Sequence, residues 1–218
     1  GCFIGSYIYF NPETSTKLDI PFFKDVVFEA GWLYIPFVAL VVVGTSNAVN
    51  LTDGLDGLAI GCVLIVSVTL AVLSYVTGHA AFSKYLFIPF VNGTGELTVF
   101  CAAIIGASLG FLWFNCPPAS VFMGDVGSLS LGGTLGIIAV MIKKELLLVI
   151  MGGVFVIEAL SVILQVFSFK TRRKRIFKMS PLHHHLQLSG WEESKIIIRF
   201  WIIAVILAVV TLMTLKIR

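Results

Sequence analysis

Three polar stretches interrupt an otherwise apolar sequence and carry the side chains that could perform chemistry. Residues 47–57 read Asn-Ala-Val-Asn-Leu-Thr-Asp-Gly-Leu-Asp-Gly, and residues 122–128 read Phe-Met-Gly-Asp-Val-Gly-Ser. The third stretch, residues 180–185, reads Ser-Pro-Leu-His-His-His. Mg²⁺ prefers carboxylate, phosphate and water oxygens as ligands. Asp, Asn and His on one membrane face, beside a basic segment, therefore indicate a magnesium ion and a phosphate-rich substrate.

The carboxylates of these stretches also permit a simpler interpretation as helix caps. Asp53 or Asp56 could cap a helix that starts near Leu58, and Asp125 could cap the next one. The neighbouring glycines favour a ligand, because they leave room for phosphates or a base to approach the backbone. A helix N-terminus beside them favours anions as well. Capping and ligand binding are compatible, so both interpretations stay open.

The histidine run and the basic segment before it have several possible roles. His183, His184 and His185 cannot all point one way on a helix or strand, which disfavours a zinc ion held by these three alone. A metal site, a phosphate contact and a loop at the lipid headgroups stay open. Residues 170–178 contain six Lys and Arg, which we expect to meet anionic lipid headgroups, with direct substrate contact as the alternative.

Apolar segments must position these stretches. The chain is 58% hydrophobic and 12% charged, whereas a soluble domain carries about 25% charged residues. Six segments approach the roughly 20 apolar residues that a membrane-spanning helix needs. They cover residues 32–48, 58–77, 97–115, 126–142, 146–167 and 196–215. Residues 1–10 indicate the end of a seventh span. The sequence therefore predicts an all-α integral membrane protein, with residues 1–218 forming a single polytopic domain.

The distribution of basic residues predicts the orientation of the spans. Eight of the fifteen Lys and Arg lie between residues 170 and 199, which makes this loop cytoplasmic. Alternation of the spans then places all three polar stretches on the cytoplasmic face. Residues 143–145 fall outside, although two of them are lysines. In the outer segment, Asn92-Gly93 suggests a small hairpin.

Residues inside the predicted spans carry further information. Gly106-x-x-x-Gly110 and Gly132-x-x-x-Gly136 are pairs that suit close helix packing in lipid. Glu158 lies in the middle of an apolar segment, where a charge costs about 3 kcal/mol or more. We therefore expect Glu158 to face the protein interior with a partner, or to stay protonated.

In this order, the three motifs resemble those of the polyprenyl-phosphate N-acetylhexosamine-1-phosphate transferase superfamily. Within it, they are most similar to the phospho-N-acetylmuramoyl-pentapeptide transferase branch, and the resemblance covers essentially the whole chain. The resemblance implies a fold of ten spans with both ends outside, of which this chain supplies the last six. We therefore expect a C-terminal fragment that lacks an upstream Asp-Asp pair and a nearby Lys, and that is inactive by itself.

The resemblance also implies an activity. Enzymes of this branch transfer phospho-MurNAc-pentapeptide from UDP-MurNAc-pentapeptide to undecaprenyl phosphate, which forms lipid I and releases UMP in peptidoglycan biosynthesis. The implied cofactor is Mg²⁺, and the implied location is the bacterial inner membrane with the active site on its cytoplasmic face. Membrane lipids and a second copy in a homodimer are the further partners expected, and no nucleic acid is expected.

Roles for individual residues follow from the same resemblance. Asp125 is the implied Mg²⁺ ligand that grips the pyrophosphate, and Asp53 joins it in the catalytic cleft with Asn47 and Asn50. The histidine run 183–185 is implied to contact phosphate or the sugar-peptide part. The implied nucleoside pocket is formed by Gly54, Leu55, Asp56, Asn115 and Phe122.

Two alternative functions are weighed against this one. A sister enzyme that uses UDP-GlcNAc or a related UDP-sugar would share the Asp motifs. The unbroken His-His-His followed by Gly190-Trp191 is similar to the muramoyl-pentapeptide branch, although Gln187 and Ser189 replace its usual Glu and Lys. A transporter, the remote alternative, would show inverted repeats or broken helices near the midplane. The sequence has no convincing internal repeat, and its polar motifs lie at loop ends.

Overall fold

The computed structural model describes residues 16–19 and 27–216. The predicted end of a seventh span at residues 1–10 lies outside these ranges. Two short strands, β1 (Lys17–Asp19) and β2 (Val27–Glu29), pair antiparallel ahead of the helices. The helices are α1 (Tyr34–Thr52), α2 (Leu58–Gly78), α3 (Ala80–Leu86), α4 (Leu97–Asn115), α5 (Gly124–Met141), α6 (Glu145–Met151), α7 (Gly153–Arg172), α8 (Leu182–Gln187) and α9 (Glu193–Thr214).

Six helical segments among the described residues are long and apolar enough to cross a membrane. They are Gly31–Thr52, Leu58–Gly78, Thr94–Asn115, Gly124–Met141, Gly153–Arg172 and Glu193–Thr214. Their outer surfaces carry large apolar side chains such as Leu40, Val99 and Ile163, which water would not stabilise. The prediction of an all-α membrane protein with six spans is confirmed.

Helix α2 forms the centre of the bundle. About 61% of its apolar segment is buried, whereas the corresponding fractions of the other five spans lie between 17% and 39%. Helix α2 packs against α4 and α9, and its buried side chains include Leu58, Val63 and Leu70. Because α2 is the most buried of the six spans, it is a fixed frame for the loops at its two ends.

Helices α1 and α5 pack closely through small residues. A Cβ atom added at Gly132 would lie 2.7 Å from the carbonyl oxygen of Thr45, and one added at Gly136 would lie 3.1 Å from Cα of Val42. The prediction of close packing is therefore confirmed for the Gly132 and Gly136 pair. Gly106 has open space around it among the described residues. The close approach brings the polar end of α1 next to the start of α5.

The fifth predicted span is not one continuous helix, so this part of the prediction is wrong. The structure divides it at Gly152 into α6 and α7, and α7 continues to Arg172. A Cβ atom at Gly152 would lie 2.8 Å from the carbonyl oxygen of Leu148. Backbone hydrogen bonds still cross the break, from Gly152 N to Leu148 O and from Val156 N to Gly152 O. Helix α6 thus packs on α9, while α7 packs on α1.

The hairpin predicted at Asn92-Gly93 is also wrong. Helix α3 occupies the start of this segment, and a 3-10 turn at Thr94–Glu96 leads into α4. Gly93 has a φ of +81° and begins that turn, so its left-handed conformation serves a helix start. The segment packs against the end of α2, where the amide of Val91 donates to the carbonyl of Thr77.

The charged residues between α5 and α6 are buried in a polar cluster. Tyr34 Oη donates to Glu145 Oε1 at 2.5 Å, and Lys143 Nζ donates to Tyr34 Oη at 2.7 Å. Lys144 forms an ion pair with Asp19. Burial lowers the pKa of Lys143 to about 8 and raises the pKa of Glu145. These two lysines are therefore structural groups of the fold, each with a polar partner.

Candidate active site

A cavity of about 310 Å³ lies between the loop that joins α1 to α2 and the loop that joins α4 to α5. We call this end of the bundle the motif end. Eight of the twelve residues predicted for the site line the cavity: Asn50, Asp53, Gly54, Leu55, Asp56, Asn115, Phe122 and Asp125. Met123 and Gly124 line it as well, and they belong to the same Phe-Met-Gly-Asp motif.

Asn50 and Asp125 connect the two helices that meet at the cavity. The amide Nδ2 of Asn50 donates to Asp125 Oδ1 at 2.9 Å and to the hydroxyl of Ser128 at 2.9 Å. Asn50 lies in the last turn of α1, and Asp125 is the second residue of α5. The Asp125 carboxylate is exposed and therefore accessible to a ligand, with its orientation fixed by Asn50.

Asp53 and Asp125 interact electrostatically across the cavity. Burial, and to a smaller extent the negative charge of Asp125, raise the pKa of Asp53. Two carboxylates that repel each other in one cavity form a favourable site for a cation. Among residues 16–19 and 27–216, no three His, Cys, Asp or Glu side chains come together as a metal cluster. The donor set fits Mg²⁺, which commonly uses one or two carboxylates and completes its shell with water and substrate phosphates.

Asp56 and Asn115 fasten the two loops to each other. Asp56 Oδ2 accepts a hydrogen bond from the amide of Ala119 at 3.0 Å. The buried Asn115 accepts from the amide of Gly57 at 3.0 Å and donates to the carbonyl of Val121 at 2.7 Å. Both side chains thus hold the shape of the cavity, a contribution that their position in the motifs does not reveal.

The interpretation of the carboxylates as helix caps is wrong. Helix α2 starts after Gly57, which has a φ of +77°, and no side chain caps it. Helix α5 starts after Met123, again without a side-chain cap. Asp53 and Asp125 therefore remain available to a ligand, while Asp56 is engaged by the opposite loop.

Phe122 and Asn47 differ in their relation to the cavity. The Phe122 ring is 74% exposed and lines the cavity, so one of its faces can stack on a flat ligand. Asn47 lies one turn before Asn50, is exposed, and donates to the carbonyl of Val43 at 2.8 Å. Its side chain is not among those that line the cavity.

The three histidines lie on the short helix α8, where the rings of His183 and His184 are neighbours with centroids 4.2 Å apart. His183 is fully buried, and a Cβ atom added at Gly54 would clash with its ring. His184 Nδ1 lies 2.7 Å from Gln187 Oε1, and His185 Nδ1 accepts from the amide of Lys178 at 3.2 Å. The ring of His185 contacts the ring of Phe177 instead, with centroids 5.5 Å apart. The ring of His183 packs against Gly54 in the cavity wall.

Glu158 connects α7 to residues 180–187, the segment that contains the three histidines and that we call the histidine loop. Its carboxylate accepts from the amides of Leu182 at 2.8 Å and His183 at 3.2 Å. Its Oε2 also lies 3.2 Å from His183 Nδ1, within ion-pair distance although not aligned as a hydrogen bond. The expectation that Glu158 faces the interior with a partner is confirmed. The sequence does not predict which residues are the partners of Glu158, because its only relevant signal is a single carboxylate within a span.

The helices and the cavity define an integral membrane protein with a carboxylate-bearing polar site at one end of its bundle. A family model described as glycosyl transferase family 4 matches residues 2–143, and the chain belongs to this family. The matched region includes the two Asp-containing stretches but ends before the histidine loop.

Relatives named phospho-N-acetylmuramoyl-pentapeptide-transferase match nearly the whole chain. The chain is 60% identical over 215 residues to the protein from Thermodesulfovibrio yellowstonii, a match that covers 97% of this chain and 60% of the relative. It is 62% identical over 215 residues to the protein from Citrifermentans bemidjiense, with 99% and 60% covered. The protein from Methylacidiphilum infernorum is 56% identical over 222 residues, with 100% and 61% covered. The chain therefore spans about 60% of the length of these relatives.

Proposed function

We propose that this chain provides six spans, as one polytopic domain, of an enzyme that forms lipid I. The enzyme transfers phospho-MurNAc-pentapeptide from UDP-MurNAc-pentapeptide to undecaprenyl phosphate and releases UMP. The observation that carries the proposal is the cavity in which Asn50, Asp53 and Asp125 meet beside residues 54–56. Relatives of that name, about 60% identical to this chain, support the same reaction.

The reaction requires positioning and neutralisation of charge more than covalent chemistry from the protein. Asp125 and Asp53 would hold Mg²⁺, which when bound supplies positive charge to the pyrophosphate. Asn50 keeps the Asp125 carboxylate directed at the cavity through its 2.9 Å hydrogen bond. The acceptor phosphate oxygen forms a bond to the β-phosphorus of the UDP-sugar, and the bond from that phosphorus to the bridging oxygen breaks as UMP leaves.

The nucleoside end of the substrate would occupy the opposite side of the cavity. Residues 54–56 form a wall that Asn115 holds in place through Gly57. The exposed ring of Phe122 would stack on uracil. His184 and His185 are half-buried, and we propose that they contact phosphate or the sugar-peptide part. His183 would act through Gly54, because its own ring is sealed from solvent.

An apolar groove between spans supports the assignment of a lipid acceptor. A groove of about 290 Å³ runs between α1 and the α6–α7 pair, and Leu40, Val149 and Leu160 are among its lining residues. These three side chains are also exposed on the lipid-facing surface of the bundle. We propose that part of the polyprenyl chain lies here. We further propose that the motif end lies at the cytoplasmic face of the bacterial inner membrane. We also propose that the enzyme acts as a homodimer.

Substrate choice distinguishes this function from that of a sister enzyme. The cavity residues belong to motifs that both branches share, so the histidine loop carries the distinction. Gln187, which departs from the usual Glu, donates to Glu193 Oε1 at 2.7 Å and contacts His184. Gln187 therefore has polar partners in His184 and Glu193.

The experiment measures UMP release by the full-length protein in detergent with Mg²⁺ and undecaprenyl phosphate. Parallel reactions contain UDP-MurNAc-pentapeptide or UDP-GlcNAc. The proposal predicts release from the muramoyl substrate alone. Release from UDP-GlcNAc alone would assign the protein to the sister branch, and release from neither by folded protein would overturn the transferase assignment.

A further inference from the structure

A second cavity, of about 500 Å³, lies where α7 ends and the chain turns into the loop before α8. It shares no lining residue with the candidate active site. Six of its lining residues carry the inference: Val166, Phe169, Lys170, Arg175, Lys178 and Met179. We call it the basic groove.

The charge of the basic groove has one sign. Lys170, Arg175 and Lys178 contribute three cations, and no carboxylate from the described part of the chain lines the groove. Lys178 Nζ donates one proton to the carbonyl of Leu188 at 3.0 Å, which holds the ammonium group in place and leaves its other protons for a ligand. The basic groove therefore attracts an anion with several acceptor oxygens, such as a phosphate group.

Hydrogen bonds fix the walls of the basic groove. Gln165 Oε1 accepts from the amides of Ile176 and Phe177 at 3.0 Å, and its Nε2 donates to the carbonyl of Phe177 at 3.0 Å. Ser168 Oγ donates to the carbonyl of Lys174 at 2.8 Å. These contacts clamp the loop onto α7, so the cations stand on a defined backbone.

Apolar side chains form the remaining part of the lining. Val166 and Phe169 lie in the last two turns of a membrane-spanning helix and are exposed, and Met179 is exposed in the loop. A free phosphate ion would contact the cations alone. A ligand that uses both parts has an acidic head and an apolar body, and the end of a span is where such molecules reside.

We propose that the basic groove binds an anionic phospholipid of the surrounding membrane. The lipid phosphate pairs with Lys170, Arg175 and Lys178, and an acyl chain lies along Val166 and Phe169. This site is separate from the polyprenyl groove between α1 and α7, and it does not depend on the proposed transferase reaction.

The test compares two double variants of the full-length protein in nanodiscs of phosphatidylcholine that contain increasing phosphatidylglycerol. K170Q/R175Q removes one Lys and one Arg from the basic groove. R172Q/K174Q removes one Lys and one Arg from the same segment outside the groove, so the net charge changes equally. Native mass spectrometry counts the phosphatidylglycerol molecules that stay bound. We expect the apparent affinity to fall about tenfold in the groove variant and less than about twofold in the control.

Three outcomes would overturn the proposal. Equal losses in both variants would show diffuse attraction to a charged surface. Equal retention of phosphatidylcholine and phosphatidylglycerol would remove the role of the anionic head. Displacement of phosphatidylglycerol by inorganic phosphate at equal concentration would identify a simple anion site. If K170Q/R175Q does not fold, the single variant R175Q is expected to lose about threefold, and an unchanged affinity there contradicts the proposal.

Discussion

Oε2 of Glu158 lies 3.2 Å from Nδ1 of His183, and both side chains are fully buried. The carboxylate comes from the second turn of the spanning helix α7, whereas the imidazole comes from the short helix α8. The ring of His183 in turn presses against Gly54 in the wall of the candidate active site. A carboxylate within a span is therefore connected to the cavity through a single histidine.

Replacing Glu158 with alanine should destabilise the histidine loop. The change leaves the half-buried amide of Leu182 and the buried amide of His183 without an acceptor, and it removes the partner of the His183 ring. The expected loss is about 3 kcal/mol or more, because breaking a buried pair leaves polar groups buried without partners. Thermal unfolding of the full-length protein in detergent measures it. E158Q, which keeps one acceptor oxygen, should lose less.

Glu192 provides the control for Glu158, since it is exposed at the start of α9. E192A should change stability by no more than about 0.5 kcal/mol. If E158A unfolds at the same temperature as E192A, the pairing of Glu158 with the histidine loop does not contribute to stability.

Adding a methyl group at Gly54 should disturb the cavity wall. The new Cβ atom would meet the His183 ring, which is fully buried and cannot move into solvent. We expect G54A to cost about 1–3 kcal/mol in stability and to weaken UMP binding, as overpacking of a tight contact does. Thermal unfolding and calorimetric titration with UMP measure the two effects. G106A is the control, because Gly106 has open space around it. Equal behaviour of G54A and G106A would rule out the contact.

The buried Lys143 predicts a dependence of stability on pH. Burial lowers its pKa to about 8 in the folded state from the ordinary value of 10.5. Between these values the unfolded chain binds the proton and the folded chain does not, so this lysine makes stability rise with pH. The slope is about 1.4 kcal/mol per pH unit between these two values, and below about pH 8 this lysine adds no dependence on pH.

Unfolding temperatures of K143M and of the parent, measured from pH 7 to pH 10, test this dependence. The difference in stability between them should grow in favour of the parent above about pH 8. K84M removes a lysine from α3 that is exposed, and its difference from the parent should stay constant with pH. A constant difference for K143M as well would show that Lys143 titrates normally.

Much of the candidate site could be predicted from the sequence because its residues come from two short stretches. The spacing within the first motif places residues 53–56 in one loop. The alternation of the spans predicts that Asp125 lies at the same end of the helix bundle. Close packing of α1 on α5 through Gly132 then completed the cavity. The interpretation of the carboxylates as helix caps considers only neighbours in sequence. At the start of α2 the contact comes instead from Asn115, the last residue of α4, which accepts from the amide of Gly57.

Other features depend on contacts that hydropathy does not encode. An apolar run around Gly152 looks uniform in sequence, although α6 and α7 pack on different helices. The sequence predicts that Lys143 and Lys144 are charges in an outer loop. In the structure, Lys143 donates a hydrogen bond to Tyr34 and Lys144 forms an ion pair with Asp19. Each of these pairings joins residues more than one hundred positions apart.

The most direct test of the proposed function is UMP release by full-length D125N in the presence of Mg²⁺, undecaprenyl phosphate and UDP-MurNAc-pentapeptide. Asp125 is the exposed carboxylate that Asn50 directs into the cavity, so its loss should lower the rate by about 100-fold or more. E96Q, which removes an exposed carboxylate at the start of α4, should stay within about twofold of the parent. A D125N protein that folds and retains the rate of E96Q would contradict the assignment of this cavity as the active site.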